Sequence, residues 1–324
     1  MQRQAVISAG NGDAQDSSVL MLHGGPGYYW LKQEIETLAS LTPKKARFLA
    51  VQARGCGLGD FVSRNDDLLD DNLFKRAEDL RHFDAPDILL GHSTGAMVAL
   101  TAVMEGFVKP KKILLVSPYT AALGEHHYWV TAKAALYPQN FARFYGFVAE
   151  NWQTYKGALP ADFKENLYLH WGELFFALPN DAEKLRAKLL YLSFHVIDAV
   201  PWAGNFDDGE PFTHYKNLLA HADDIGGQLK DDLLRIATIT AHWWRTNFQD
   251  GYDFIGKLQN ASFEVPIHIL SGKRDEITPP LTVNRLAEML NVTPEITPNG
   301  HHLPESAMPG TLQKDLAEYL GRLL

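Results

Sequence analysis

Five residues constrain this chain more than any others: Gly91-His92-Ser93-Thr94-Gly95, set between an apolar run (Ile88-Leu89-Leu90) and a stretch punctuated by Ala96, Ala99 and Ala102. The order predicts a strand, a sharp turn and a helix. Gly-x-Ser-x-Gly at such a junction lifts the serine hydroxyl out of the backbone, where it can act as a nucleophile. The glycines have a steric reason, because strand and helix approach closely on either side of a strained turn and a Cβ would keep them apart. The plainer reading is a serine in a tight turn beside a buried helix, and the motif alone does not separate the two.

The neighbouring pattern favours an α/β body. Apolar runs at 5–8, 19–22, 47–51, 88–90 and 112–116 alternate with segments of helical spacing, among them 68–81 and 94–105. Such runs predict parallel strands covered on both faces. From 117 to 262 no strand signal appears. Helices are expected instead at 134–153, 162–178, 181–197 and 229–248, in a region holding six of the seven tryptophans. Strand signals return at 267–270 and 294–297, with helices at 280–290 and 310–324.

Composition closes off several classes. The chain has 324 residues, 46% hydrophobic and 21% charged, with net charge −9 and no basic cluster longer than 109–112, which argues against nucleic-acid binding. The single cysteine, Cys56, forbids an intrachain disulfide and fits a reducing compartment. No apolar run is long enough to span a membrane and no secretory segment is evident at the N-terminus, so the expected location is cytoplasmic. The histidines at 126, 127, 170, 214 and 221, with Asp223 and Asp224, match no closed ligand spacing, and no metal is expected.

A serine nucleophile needs a base and an acid that orients it. Behind this type of turn they follow in the order Ser, Asp or Glu, His, each in a loop at the C-terminal end of a strand. Asp275 follows the 267–270 strand and His301 follows the strand around Ile296, so the expected catalytic set is Ser93, Asp275 and His301. Glu276 and His302 are the adjacent alternatives. The backbone amides of Thr94, after the nucleophile, and of Gly25, in His23-Gly24-Gly25-Pro26-Gly27, are the expected oxyanion donors. His92 reads as an elbow packing residue, and His23 as a residue bonded within its own loop.

Taken together, His23-Gly24-Gly25-Pro26-Gly27, Arg54-Gly55-Cys56-Gly57, the elbow, Gly272 to Pro279 and Gly300-His301 resemble the landmarks of the α/β-hydrolase superfamily over residues 19–116 and 263–324. The first loop is similar to that of the proline iminopeptidase branch. The resemblance implies an α/β-hydrolase fold, mostly parallel, with a core at 1–117 and 263–324 and an inserted helical cap at 118–262. It implies a serine hydrolase acting through an acyl-enzyme on a small ester or short-peptide amide, without a cofactor. It supports Asp275 through the Asp-x-Ile-Thr-Pro stretch, and His301 through the preceding glycine and Glu305 four residues on. In that branch cap glutamates bind the substrate amine; the nearest counterpart here makes Glu173 and Trp171 candidate substrate-binding residues. The elbow of that branch reads Gly-Gly-Ser-Trp-Gly, and Gln52-Ala53 stand where it carries Asp-Gln. Aminopeptidase and carboxylesterase therefore both stay open, as does a slow-turnover or ligand-sensing relative.

Overall fold

The computed structural model describes residues 6–10, 16–28, 30–52, 71–121, 124–195, 227–246, 251–298, 300, 302 and 312–324. Cys56 and the Arg54 to Gly57 turn lie outside them. The chain divides into two compact units, one formed by Met1–Leu123 with Gln249–Leu324 and the other by Gly124–Phe248.

Along the chain, the first unit runs through β1 (Val6–Gly10), β2 (Ser17–Leu22), α1 (Lys32–Leu41), β3 (Ala46–Val51), α2 (Leu73–Glu78), β4 (Ile88–His92), α3 (Thr94–Met104) and β5 (Lys112–Val116). The second unit contributes α4 (Glu125–Tyr128), a π-helical turn at Trp129–Lys133, α5 (Ala134–Leu136), α6 (Pro138–Tyr155), α7 (Leu167–Ala177), α8 (Asp181–His195) and α9 (Gly227–Arg245). The chain then returns to the first unit with α10 (Phe254–Gln259), β6 (Ile267–Gly272), α11 (Pro280–Leu290), β7 (Glu295–Thr297) and α12 (Leu312–Leu323).

The described strands form one sheet in the order β1-β3-β2-β4-β5-β6-β7. β1 is antiparallel to β3 and every other pair is parallel. The apolar runs become its buried strands: Val19, Met21, Ile88, Leu90, Leu114 and Val116 pack into the core with Trp30, Phe48, Leu270 and Leu316. Each such side chain contributes roughly 1.5–3 kcal/mol by leaving water. The register places Leu22 opposite Gly91, His92 opposite Val116 and Gly272 opposite Thr297. The loops after β2, β4, β5, β6 and β7 therefore open at one edge of the sheet, where ligands of α/β sheets bind.

The second unit is all helix in its described residues. α7 lies against α9, α6 against α8, and α8 against α9. A Cβ at Gly172 would stand 2.7 Å from the Ala241 carbonyl oxygen and the Arg245 nitrogen, so glycine lets α7 and α9 cross closely. The helix expected over 134–153 is broken at Tyr137 (φ −125°, ψ 61°), and Pro138 starts a new helix at its first position. Proline tolerates that position because its missing N–H would have no helical acceptor there. Residues 249–262 fall within the sequence-expected insertion, yet α10 packs on α3 of the sheet unit.

Candidate active site

Ser93 caps the N-terminus of α3 with φ 51° and ψ −120°. A non-glycine residue there carries strain of about 1–3 kcal/mol, which surrounding contacts must hold. Here Ser93 N donates to the Val116 carbonyl (2.9 Å), and the Ser93 carbonyl accepts from Tyr119 N (3.1 Å). The glycines of the motif act as the steric argument requires. A Cβ on Gly91 would lie 2.6 Å from the Gly95 oxygen, and one on Gly95 would lie 2.6 Å from the Leu22 oxygen and 2.7 Å from the His23 oxygen.

The glycine-rich loop after β2 lies directly against the elbow. A Cβ on Gly24 would stand 2.3 Å from Ser93 Cβ. Gly25 has φ +57° and its carbonyl accepts from Tyr28 N at 3.0 Å, a turn that suits glycine. Thr94 is the first residue of α3, and the first amides of a helix have no intrahelical acceptor and carry the positive end of its dipole. The two residues expected to donate to an oxyanion thus come from backbone segments packed on either side of Ser93.

Asp275 is 2% exposed and accepts a dense set of hydrogen bonds. Ile277 N (2.9 Å) and Thr278 N (2.8 Å) donate to Oδ1, and Thr278 Oγ1 lies 2.7 Å from Oδ2. His302 Nδ1 lies 2.9 Å from Oδ2 and 3.1 Å from Oδ1. Because an ionised carboxylate only accepts, Nδ1 carries the proton and Nε2 is left as the basic nitrogen. Burial pushes the Asp275 carboxyl up, but the His302 imidazole and the Thr278 donors outweigh it and hold the carboxyl below its usual range.

The loops that carry Asp275 and His302 are stitched together by two glycines. Arg274 N donates to the Gly300 carbonyl at 3.0 Å, and a Cβ on Gly272 would overlap that carbonyl at 2.0 Å. His301, set as the base from sequence, lies outside the described residues; the imidazole against Asp275 is that of His302, and the carboxylate against His302 is that of Asp275 rather than Glu276. No hydrogen bond joins Ser93 Oγ to His302. Such contacts are often long before substrate binds.

Two more imidazoles border the elbow. His23 is bonded through Nδ1 to the Gly24 carbonyl, within its own loop, and burial takes its pKa down to about 4. His92 Nε2 lies 2.8 Å from the His302 carbonyl oxygen, and burial, followed by the nearness of the His302 and His23 imidazoles, lowers its pKa well below the ordinary value. Both are neutral at pH 7, and of the three imidazoles His302 is the one that pairs with the Asp275 carboxylate.

The candidate substrate residues behave differently. Trp171 is fully buried within the helical unit, stacks on Tyr191 at 4.7 Å and points Nε1 at the Ala187 carbonyl at 3.3 Å. That corrects its expected role: it presents no surface to a ligand and serves as core. Glu173 is exposed and lines a cavity of about 420 Å³ on the helical unit with Lys156, Phe176 and Arg245. Thr278 joins the site without having been expected there. Its signal is the short spacing Asp275-x-x-Thr278, in which an aspartate accepts from amides two and three residues on. Among the described residues no cluster of three or more metal-ligating side chains occurs, and no helix is long and apolar enough to cross a membrane.

Residues 19–312 match the model of the alpha/beta hydrolase family. Among solved structures the chain is similar to an alpha/beta hydrolase enzyme from a Medee basin deep-sea metagenome library, with 14% identity and TM-score 0.54 over 97% of this chain and 92% of that one. It is similar to a proline iminopeptidase-related protein of Thermus thermophilus, with 17% identity and TM-score 0.52 over 99% and 93%. It is also similar to an esterase of Exiguobacterium antarcticum, with 15% identity and TM-score 0.50 over 98% and 93%. At these identities the likeness is one of fold. No curated relative matches the sequence.

Proposed function

The chain belongs to the alpha/beta hydrolase family, and on that premise we propose that it is a serine hydrolase working through an acyl-enzyme, with Ser93 as nucleophile, His302 as base and Asp275 as the group that orients the base. The observation that carries this reading is the His302 Nδ1–Asp275 carboxylate pair, buried at the sheet edge that also bears the strained Ser93 turn.

In this mechanism His302 Nε2 takes the Ser93 Oγ proton as Oγ attacks the substrate carbonyl. The oxygen of the tetrahedral intermediate is held by the Thr94 and Gly25 amides, each such donor lowering the barrier by roughly 3–4 kcal/mol. Collapse breaks the bond to the leaving group, which departs with the proton from His302. Water then attacks the acyl-serine with His302 again as base, and the acid is released. Asp275 stays ionised throughout, which stabilises the transient imidazolium.

We assign the substrate as a small carboxylic ester rather than a peptide with a free amine. Glu173, the candidate amine-binding carboxylate, shares its cavity with the cations Lys156 and Arg245, a charge balance that does not favour a cationic amine. The test is a panel of p-nitrophenyl acyl esters beside aminoacyl-naphthylamides, with Ser93→Ala as control. Ester turnover lost in Ser93→Ala is the expected result. Turnover of prolyl-naphthylamide alone overturns the ester assignment and favours the iminopeptidase reading. Binding without turnover or labelling by a fluorophosphonate favours the ligand-sensing one.

A further inference from the structure

His92 stands one residue before the nucleophile, and its side chain does not simply fill space. Its Nε2 lies 2.8 Å from the backbone oxygen of His302, 210 residues away. A carbonyl only accepts, so the proton sits on Nε2 and Nδ1 keeps a bare lone pair. That Nδ1 is buried with no hydrogen-bond partner among the described residues. A buried unsatisfied acceptor costs about 1–3 kcal/mol, so the arrangement calls for a compensating reason. Ring packing alone does not supply one. The His92 ring lies 5.6 Å from His23, 6.0 Å from Trp30 and 5.0 Å from His302, and an apolar ring would make those contacts without the penalty.

We propose that His92 is a positioning residue that clamps the base to the nucleophile strand: its Nε2–H holds the His302 main chain, while Asp275 holds the His302 imidazole. The inference rests on the reading of Ser93 and His302 given above. With both the carbonyl and Nδ1 of His302 fixed, the direction of its Nε2 is fixed too. The carbonyl anchor comes from the last residue of β4, whose next residue is Ser93, so the nucleophile and the base share one rigid support. The clamp requires an imidazole that keeps its tautomer while its neighbour charges. The groups facing it are His23, neutral and bonded to the Gly24 carbonyl, and His302, which pairs with the Asp275 carboxylate. A proton taken from Ser93 therefore settles on His302 and leaves the clamp in place.

The contrast between His92→Gln and His92→Met tests the clamp, because the two side chains match in length and only glutamine carries an N–H. His92→Met should lower kcat on a p-nitrophenyl ester by about 10- to 100-fold, the scale of a small misplacement of a catalytic group, with KM nearly unchanged. His92→Gln should recover most of that loss. Equal losses in both variants, or none in His92→Met, overturn the clamp. In the 15N-labelled wild-type protein at pH 7, His92 should be neutral with its proton on Nε2. A proton on Nδ1 overturns the proposal even if neither variant folds. The reading of the site fails separately: Ser93→Ala that still turns over ester removes the nucleophile, while the tautomer of His92 still reports on the clamp.

Discussion

In the sheet unit two buried carboxylates are held by dense sets of donors. Asp275 has His302, two backbone amides and a hydroxyl, and Asp71 meets Arg76 through both carboxylate oxygens. In the helical unit Lys188 Nζ donates to the Thr240 hydroxyl at 3.0 Å and lies 4.7 Å from the Tyr191 ring, Lys133 Nζ donates to the His195 carbonyl at 2.9 Å, and burial takes the Lys188 pKa down to about 7. Glycine also differs in use. At the sheet edge, Gly24, Gly91, Gly95 and Gly272 let backbones meet around the reacting groups, whereas Gly172 lets two helices cross. In the sheet unit the close glycine approaches gather around Ser93, Asp275 and His302. The helical unit fills volume with Trp129, Trp171, Trp243, Trp244, Tyr168 and Phe194.

Four substitutions test that division. Asp275→Asn should lower kcat on the ester by about 10³- to 10⁴-fold with little change in thermal unfolding, because it leaves the geometry but favours the wrong His302 tautomer. A loss below about tenfold would mean that the network does not serve catalysis. Trp171→Ala should destabilise the protein by about 3–5 kcal/mol in denaturant unfolding, the cost of a large core cavity, while the folded fraction keeps its KM. A raised KM with unchanged stability would restore Trp171 as a substrate contact. Gly24→Ala should reduce kcat by about 10²- to 10³-fold, since its methyl forces Ser93 away from the loop proposed to supply an oxyanion donor. Wild-type kcat in this variant would show that the close approach of loop and elbow is incidental.

Lys188→Met should remove the rise in stability that the wild-type protein shows between about pH 7 and about pH 10.5. The sign follows from linkage. The folded pKa of Lys188, about 7, lies below the ordinary value of 10.5, so the cost of burial is absent above about pH 10.5. It grows as pH falls through that window and is constant below about pH 7. Denaturant unfolding at about pH 6, 8.5 and 10.5 should show the variant losing ground to the wild type at each step. A pH-independent difference would place the Lys188 effect in packing rather than charge.

The same division governs what can be read from sequence. The β4–Ser93–α3 junction is legible because its glycines are demanded by backbone approach, and such demands leave a fixed spacing. Asp275 is legible as the loop residue after an apolar strand. The choice between His301 and His302 is not, because adjacent histidines after Gly300 carry no periodicity. What selects His302 beside Asp275 is tertiary: the Gly300 carbonyl tied to Arg274 N, and the His302 carbonyl tied to His92. Trp171 misleads because an aromatic beside a glutamate looks the same in sequence whether its helix face is wet or buried. The break before α6 has a signal in Pro138, while the shorter extent of α7, Leu167–Ala177 against an expected 162–178, has none in its hydrophobic pattern.

The central claim is that Ser93 carries the acyl group. Intact-mass measurement of the protein after reaction with a fluorophosphonate, followed by peptide mapping, tests it directly. The account predicts one adduct per chain, on Ser93, absent in Ser93→Ala and slowed in Asp275→Asn. An adduct on another residue, or undiminished ester turnover by Ser93→Ala, would contradict it.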